Sequence, residues 1–379
     1  MSGLKKSLVF VWENFGPMHV DRCEAIAVHY AGRRDVVGIE LGGVSQVYGW
    51  TASSTKSFSK VTVFAESSVE GISFWRRFYA LVKTCVHQGR ADFFFCHYEQ
   101  LEVFLTVIAL RLLGQRVYLM NDSKFDDKPR SIMREVGKTI ALWPYSGALV
   151  SGRRSKEYLT FLLFSVDRIA TGYDTLSIER IRRLAAADPA PKRGHFEERH
   201  FTVIARFVPK KNLPMLMDAY ANYVRSVSVP RLLHLCGAGE MEDALREQAL
   251  RLGVQNLVVF RGLIQTEEVA LTLANTLALI LVSVEEQFGL VVIEAQAMGV
   301  PVIFTAACGA RDELLRSGVN GFLVEADNPV GVAYFMKLIA SDEGLWRRLA
   351  RGALEAAPLG DVARFVSAVE QLTEGSGAH

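Results

Sequence analysis

Short apolar runs alternate with longer amphipathic segments along most of this chain. In the first half, the pattern predicts strands at residues 7–12, 36–40, 61–64, 93–96 and 116–120, and helices at 21–30 and 101–113. In the second half, it predicts strands at 201–205, 232–236, 257–260, 277–282 and 302–305, and helices at 213–224, 241–252, 267–273 and 290–298. Strands that alternate with helices indicate parallel βαβ units. We therefore expect two doubly wound α/β domains facing a cleft, with ligands beyond the carboxyl ends of the strands.

A polar segment without periodicity, residues 188–199, separates the two series and contains two prolines. This composition is typical of a loop, so we place the domain linker there. The first domain would then comprise residues 1–187 and the second residues 200–356. The chain of 379 residues is also too long for one core, since domains usually hold about 150–200 residues.

The composition limits the kinds of protein this chain can be. Its apolar runs are all shorter than the roughly 18–20 residues that a membrane span needs. The first run, residues 8–12, is ended by Glu13 and Asn14, which predicts a strand and not a signal peptide. The five cysteines are far apart and form no C-x-x-C pair, which favours a reducing compartment over a disulfide framework or zinc site. We therefore expect a cytoplasmic protein without a metal or other cofactor.

Positive charge is concentrated in the first half of the chain. Residues 1–190 hold 25 Lys and Arg against 19 Asp and Glu, a balance of +6, whereas residues 191–379 hold 18 against 22, a balance of −4. A basic half suits an anionic partner, such as a phosphate-bearing acceptor or the inner face of a membrane, although ordinary solvated charge is the alternative. The basic, aromatic segment 74–90 would suit peripheral membrane contact, or a core-packed helix with exposed cations. We expect no nucleic-acid partner, because no recognised binding pattern accompanies these charges.

The most informative chemistry lies in the loop 283–289, between a predicted strand and a predicted helix. A helix that begins there would present free N–H groups and its positive dipole end to an anion such as a diphosphate. Glu286 precedes this helix and Glu294 lies about one turn inside it. Two carboxylates are poor phosphate ligands, but they can accept hydrogen bonds from sugar hydroxyls. The alternative is an ordinary helix whose dipole favours acidic residues near its start.

With its flanking residues, this segment resembles the E-x7-E motif of retaining glycosyltransferases of family GT4, which have the GT-B fold. Phe288-Gly289-Leu290 lies between the two glutamates, and Gly299-Val300-Pro301-Val302 follows them. The resemblance implies that Glu286 contacts hydroxyls of the donor sugar and that Glu294 contacts the ribose. It also implies that backbone N–H groups of Phe288, Gly289, Leu290 and Val291 approach the sugar and the phosphates.

Other segments of the second half resemble the same family. Residues 204–212 resemble its G-R-x-x-x-x-K-N turn, with Ala205 where glycine is usual. The resemblance implies that Arg206 and Lys211 neutralise the leaving diphosphate, which fixed cations must do where no metal does. Gly237 belongs to a segment that resembles the family's G-x-G turn. Arg261 and Gly262 match a turn where backbone groups hold the base, although Arg261 could equally face solvent.

The resemblance is weaker in the first half. His97 ends a segment that resembles the family's D-x-x-x-x-H motif, which places it near the reacting sugar, with a packed or surface histidine as the alternative. The acceptor-binding candidates are Gly16, His19, Arg22, Asn121, Asp122 and Arg153. His19 could instead be a buried or capping residue. The loop that holds Gly16 has one glycine where the family usually has two.

The resemblance implies a GT-B fold of two Rossmann-like domains, with a final helix in residues 357–379 that crosses back to the first domain. It implies a metal-independent, front-face transfer with retention, from a nucleotide diphosphate sugar to a hydroxyl. We expect a UDP-sugar before a GDP-sugar, and a glycan, lipid-linked or small-molecule acceptor of polysaccharide or glycolipid biosynthesis. The alternatives are a sugar-nucleotide epimerase or hydrolase on the same scaffold, and a sugar-nucleotide-binding protein without catalysis.

Overall fold

The structure is a computed structural model that describes residues 6–43, 56–65 and 71–375. The chain divides into two compact units. The first comprises Met1–Leu176 together with Val362–His379, and the second comprises Ser177–Asp361. None of the described helices is long and apolar enough to cross a membrane.

The first unit is built on a seven-stranded parallel sheet with the strand order β3-β2-β1-β4-β5-β6-β7. Its strands are β1 (Ser7–Trp12), β2 (Val36–Gly42), β3 (Ser59–Phe64), β4 (Ala91–Phe95), β5 (Arg116–Asn121), β6 (Gly147–Val150) and β7 (Ile169–Thr171). Its first five helices are α1 (Pro17–His29), α2 (Phe74–His87), α3 (Leu101–Leu112), α4 (Ile132–Leu142) and α5 (Arg153–Phe161). The sheet has a core on both faces: Phe93 and Phe95 enter one cluster, and Phe94 enters the other. The strands are therefore apolar throughout, as is usual for parallel sheets.

The second unit contains a six-stranded parallel sheet with the strand order β10-β9-β8-β11-β12-β13. Its helices are α6 (Ile178–Ala185), α7 (Leu213–Arg225), α8 (Glu242–Arg251), α9 (Thr266–Ala274), α10 (Val291–Ala297), α11 (Arg311–Leu314), α12 (Pro329–Ser341) and α13 (Glu343–Ala356). Its strands are β8 (His200–Ile204), β9 (Leu233–Cys236), β10 (Val258–Gly262), β11 (Thr276–Leu281), β12 (Val302–Thr305) and β13 (Gly321–Val324).

The last helix, α14 (Val362–Glu374), belongs to the first unit although it follows the second along the chain. Phe365 and Val369 enter the same core cluster as Phe94. The hydroxyl of Tyr118 also donates a hydrogen bond of 3.0 Å to the carbonyl oxygen of Leu372. The helix therefore covers one face of the first sheet.

The predicted α/β architecture is confirmed, and each predicted strand lies within two residues of an observed one. The predicted helix at 21–30 begins earlier, at Pro17, because proline suits the first turn of a helix, where its missing N–H has no partner to lose. In each sheet, connections run outward in both directions from one central pair of strands, β1 with β4 and β8 with β11. The carboxyl ends of such a pair are where ligands of doubly wound sheets bind.

The segment 188–199, predicted as the linker, lies inside the second unit. Its Arg199 is buried and donates hydrogen bonds to the carbonyl oxygens of Ala274 (3.1 Å) and Thr276 (3.2 Å). The N–H of Ala190 donates to the carbonyl oxygen of Met298 at 2.7 Å. The segment is therefore anchored in the second unit at Ala190 and Arg199, although most of its polar side chains are exposed, and the units divide between Leu176 and Ser177.

Candidate functional site

The loops that follow β8 and β11 meet at the carboxyl edge of the second sheet. The N–H of Val284 donates a hydrogen bond of 2.9 Å to the carbonyl oxygen of Lys210. The ammonium of Lys210 lies 3.5 Å from an oxygen of Glu285. The next residue along each loop makes a second ion pair, between the ammonium of Lys211 and the carboxylate of Glu286. Two of the predicted site residues, Lys211 and Glu286, are therefore in direct contact.

The carboxylate of Glu286 is held in place by two donors. Its Oε2 accepts hydrogen bonds from the ammonium of Lys211 and, at 3.1 Å, from the hydroxyl of Ser283. Ser283 is fixed in turn, because its carbonyl oxygen accepts a 2.5 Å hydrogen bond from the hydroxyl of Thr305 on the neighbouring strand β12. The side chains of Lys211 and Glu286 are each only 14% exposed. The site thus places a fixed cation and a fixed carboxylate together at the edge of the sheet.

Residues 308–310 form a backbone segment that holds the loop 283–289 through hydrogen bonds. The N–H of Gly309 donates to the carbonyl oxygen of Glu286 at 3.1 Å, and the N–H of Ala310 donates to that of Phe288 at 2.9 Å. The thiol of Cys308 also donates to the carbonyl oxygen of Phe288, at 2.9 Å. A Cβ at Gly309 would lie 1.7 Å from the carbonyl oxygen of Gln287, so only glycine fits there. This segment is absent from our sequence-based predictions, and Gly309, which follows strand β12, is the signal that could have indicated it.

Gly289 turns the chain from the loop into helix α10. Residues with a side chain rarely adopt its φ of +98°. An added Cβ would lie 3.0 Å from the Sγ of Cys308. The helix spans Val291–Ala297, with Leu290 as its N-cap, and is shorter than the predicted 290–298. Glu294 lies in its first turn and is partly buried. The helix thus carries Glu294 at the same edge of the sheet as Glu286.

The turn after β8 leaves Arg206 exposed next to a buried Phe207. The N–H of Phe207 donates to the carbonyl oxygen of Ala238 at 2.8 Å, which joins this turn to the one after β9. In that second turn a Cβ at Gly237 would lie 1.8 Å from the carbonyl oxygen of Ala205. Gly237 is therefore needed for the close approach of two backbones, and the Ala205 that departs from the family pattern lies at this contact.

Gly262 and Arg261 have different roles in the third turn, after β10. The carbonyl oxygen of Gly262 accepts a 2.7 Å hydrogen bond from the N–H of Gly237, so Gly262 belongs to the same edge of the sheet. The guanidinium of Arg261 is exposed and pairs with Glu268 at 3.1 Å. The structure therefore matches the solvent-facing alternative for the Arg261 side chain.

The first unit holds its own cluster of titratable groups, at the carboxyl ends of β1, β4 and β5. His97 follows β4 with a φ of +58°, a conformation uncommon outside glycine that often marks functional sites. Its Nδ1 lies 3.5 Å from an oxygen of Glu99. Burial lowers the pKa of His97, but the hydrogen bond that its ring donates to Glu99 and the charges of Glu99, Glu13 and Asp122 together raise it above its ordinary value.

His19 has the capping role that we considered as an alternative. Its Nδ1 accepts a 2.9 Å hydrogen bond from the N–H of Gly16 at the start of α1, and its ring centroid lies 4.6 Å from that of Trp12. Burial, with smaller contributions from the charges of Arg22 and His97, lowers the pKa of His19 well below its ordinary value. Because Nδ1 accepts a bond in the neutral ring, the proton lies on Nε2.

Arg22 does not fit the acceptor-binding role that we predicted. Its side chain is only 1% exposed, and its guanidinium donates to a carboxylate oxygen of Asp174 and to the carbonyl oxygen of Thr175, both at 3.2 Å. The ring of Tyr173 lies 4.6 Å from the guanidinium carbon. The other oxygen of Asp174 accepts a 2.7 Å bond from the hydroxyl of Ser151. Arg22 therefore organises a buried network beneath the loops.

The other first-unit candidates lie after β5 and β6. Asn121 is buried, and its side-chain N–H donates to the carbonyl oxygen of Ser123 at 3.4 Å. Burial, with the nearby charge of Asp174, raises the pKa of Asp122 to about 7. Arg153 begins α5 and is largely exposed, with its Nε 2.7 Å from a carboxylate oxygen of Glu157. Asp122 and His97 thus follow the neighbouring strands β5 and β4.

The structure therefore brings Lys211 and Glu286 into contact in the second unit, and places His97 beside Glu99 in the first. Among the described residues, no group of three or more His, Cys, Asp or Glu side chains is placed to hold a metal ion.

Comparison with known proteins gives the family context of this geometry. The model of the family described as glycosyl transferases group 1 matches residues 190–355. The chain is 38% identical over 156 residues to a D-inositol 3-phosphate glycosyltransferase of Streptomyces bingchenggensis, which is 39% of this chain and 34% of that protein. It is 32% identical over 153 residues to N-acetyl-alpha-D-glucosaminyl L-malate synthase of Bacillus anthracis, which is 40% of this chain and 39% of that protein. The chain thus spans only about a third of the length of these relatives.

Solved structures are similar over nearly the whole chain. The Anabaena protein HepE in complex with UDP superposes with a TM-score of 0.71 at 16% identity, over 97% of this chain and 100% of that one. A glycosyltransferase from Rickettsia africae superposes with a TM-score of 0.74 at 13% identity, over 99% of this chain and 100% of that one. At such low identity, the likeness shows a shared fold.

Proposed function

We propose that this protein transfers a sugar from a nucleotide diphosphate sugar to an acceptor hydroxyl. The match of residues 190–355 to the glycosyl transferases group 1 family model and the GT-B fold support the proposal. The observation that carries the proposal is the ion pair of Lys211 and Glu286, which joins the loops after β8 and β11. A cation and a carboxylate at one strand edge suit a ligand with a diphosphate at one end and hydroxyls at the other.

In the proposed donor complex, Lys211 and Arg206 neutralise the diphosphate. Lys211 exchanges its partner, because a phosphate oxygen competes with Glu286 for the ammonium. Glu286 then accepts hydrogen bonds from hydroxyls of the donor sugar, and Glu294 accepts them from the ribose. Both roles follow from the family resemblance, and the fixed position of Glu286 on Ser283 supports the first of them.

We propose a front-face reaction with retention of the anomeric configuration. The bond between the sugar C1 and the leaving phosphate oxygen breaks, and the acceptor oxygen bonds to C1 on the same face. The acceptor proton passes to the leaving phosphate oxygen. The cations stabilise the negative charge that develops on the diphosphate, and this electrostatic effect needs no metal ion. The family resemblance assigns His97 a contact with a donor or acceptor hydroxyl.

UDP is our first choice of nucleotide, and the similarity to a protein solved with UDP supports it. The acceptor stays open among glycans, lipid-linked acceptors and small molecules. We further propose a cytoplasmic location, which is supported by five buried cysteines that all remain as free thiols.

Turnover of a donor panel tests the proposal. The chain is incubated with UDP- and GDP-sugars, with and without pools of acceptor hydroxyl compounds, and the released nucleoside diphosphate is measured. We expect acceptor-dependent release with one donor. Equal release without acceptor would favour a hydrolase, interconversion of the donor would favour an epimerase, and binding without any turnover would favour a non-catalytic binding protein.

A further inference from the structure

Helix α4 of the first unit carries an apolar stripe on its outer surface. The stripe consists of Ile132, Met133, Val136, Ile140 and, directly after the helix, Trp143, which are between 51% and 87% exposed. From Met133 the positions recur at intervals of three and four residues, and Ile132 lies four residues before Val136, so the five share one side of the helix. On the opposite side, Leu142 enters the core.

An outer stripe of five large apolar side chains is unusual for a helix that only meets water. Single exposed apolar residues are normal, but a contiguous patch marks a surface that binds something. The stripe is far from the donor-site residues in sequence, and the proposed transfer reaction makes no use of it.

The charge around the stripe is positive. Residues 128–143 contain four basic residues and one acidic residue, Glu135. Glu135 is buried, and its carboxylate accepts a 2.6 Å hydrogen bond from the hydroxyl of Tyr158 and lies 3.1 Å from the ammonium of Lys138. Its negative charge is therefore neutralised inside the unit. Lys128 and Arg134 remain exposed beside the apolar stripe.

A second helix shows the same combination on the same side of the sheet. Leu81 and Cys85 of α2 enter the core cluster that also contains Leu142 of α4. The outward side of α2 exposes the aromatic residues Trp75 and Tyr79. The basic segment 74–90 is therefore a core-packed helix that still presents aromatic side chains to solvent.

We propose that the apolar stripe of α4 inserts into an anionic phospholipid surface, with Lys128 and Arg134 at the level of the lipid headgroups. Amphipathic helices with apolar and aromatic residues on one side and cations beside them bind membrane interfaces in this way. Tryptophan such as Trp143 is also favoured at that interface. A second copy of the chain fits less well, because pairing through the stripe would bring like charges together.

Vesicle binding tests this proposal without any sugar donor, so its outcome is independent of the proposed transfer activity. The full chain is sedimented with vesicles of phosphatidylcholine alone, or of equimolar phosphatidylcholine and phosphatidylglycerol. We expect binding to the mixed vesicles. Replacing both Ile132→Ser and Ile140→Ser should weaken it at least about tenfold. Leu250→Ser, an equally exposed leucine of α8 in the second unit, is the matched control and should bind like the wild type.

Two further measurements separate the apolar and charge contributions. The pair Lys128→Gln and Arg134→Gln should weaken binding to the mixed vesicles by about fivefold per cation removed, with little effect on neutral ones. Brominated lipid should quench the fluorescence of the wild type, and Trp143→Phe should reduce that quenching, with exposed Trp75 as the second source of signal on this side. The proposal is overturned if the wild type does not bind mixed vesicles, if the double serine variant binds equally well, or if the stripe only mediates dimer formation.

Discussion

Replacing Lys211 with alanine tests the role of its ammonium, which joins the loop after β8 to Glu286 in the loop after β11. In the free protein, the Glu286 carboxylate accepts hydrogen bonds from the ammonium of Lys211 and from the hydroxyl of Ser283. In Lys211→Ala, the Ser283 hydroxyl is the side-chain donor that remains. Both partners are mostly buried, so solvent can replace the lost donor only in part. We expect the free energy of unfolding to fall by about 1–3 kcal/mol, the cost of a buried polar group that loses its partner.

Lys211→Ala should also weaken the binding of UDP. A hydrogen bond to a charged group contributes about 1.5–3 kcal/mol, which corresponds to roughly 10–150-fold in Kd. Because Lys211 must give up Glu286 when the diphosphate arrives, we expect a value near the lower end, about tenfold. The effect on kcat should be larger, about 10²–10³-fold, since the charge on the diphosphate grows as its bond to the sugar breaks.

Calorimetric titration with UDP measures the first effect, and the rate of UDP release measures the second. Lys210→Ala is the matched control, because this neighbouring lysine makes a longer, more exposed ion pair with Glu285. It should change either quantity less than about threefold. Glu286→Gln should have the opposite effect on the affinity for UDP, because it frees Lys211 and should tighten UDP binding. It should weaken the binding of a UDP-sugar. The reasoning is refuted if Lys211→Ala binds UDP within twofold of the wild type, or if Lys210→Ala is equally impaired.

Three further predictions follow from single positions. Glu294→Gln should weaken UDP and a UDP-sugar alike, by about tenfold or more in titrations, and an effect on the UDP-sugar alone would contradict its assignment to the ribose. Gly237→Ala should cost more than about 3 kcal/mol in thermal melts because its Cβ would lie 1.8 Å from the carbonyl oxygen of Ala205, whereas Gly253→Ala, with φ of +72° and open space around it, should cost only about 1 kcal/mol. The folded pKa of Asp122, raised from 3.8 to about 7, means that this residue lowers stability as the pH rises through that window. Asp122→Asn should therefore raise the melting temperature at pH 8, with the gain vanishing near pH 4. Asp126→Asn is the control and should lower the melting temperature, because the pKa of Asp126 is lowered. Equal melting shifts for both variants would contradict the raised pKa of Asp122.

The second unit could be predicted from sequence because its signals are local. Each short apolar run is a strand, and the residues after a parallel strand must lie at one edge of the sheet. This rule alone places Lys211 and Glu286 at the same edge, although 75 residues separate them. The ion pair between them and the anchoring of Glu286 by Ser283 depend on side-chain positions that the strand pattern does not define.

The features that sequence could not predict depend on distant partners. From its sequence, Arg22 is expected to be an exposed basic residue on a helix. It is instead buried, because its guanidinium binds the carboxylate of Asp174, which lies about 150 residues later in the chain. The segment 188–199 has the composition of a linker because most of its polar side chains are exposed, and the hydrogen bonds from Arg199 to carbonyl oxygens of the second unit have no periodic pattern in the sequence. The stripe on α4 is a similar case, because an apolar periodic pattern predicts a helix but does not show which side the core covers.

A crystal structure of the full chain with bound UDP tests the central claim most directly. The account predicts that the diphosphate lies within hydrogen-bond distance, about 3 Å, of the Lys211 ammonium. It also predicts that the ribose hydroxyls donate to the carboxylate of Glu294, and that Glu286 is released from Lys211. UDP bound elsewhere, or bound here with the Lys211–Glu286 pair intact and Glu294 out of reach of the ribose, would contradict it.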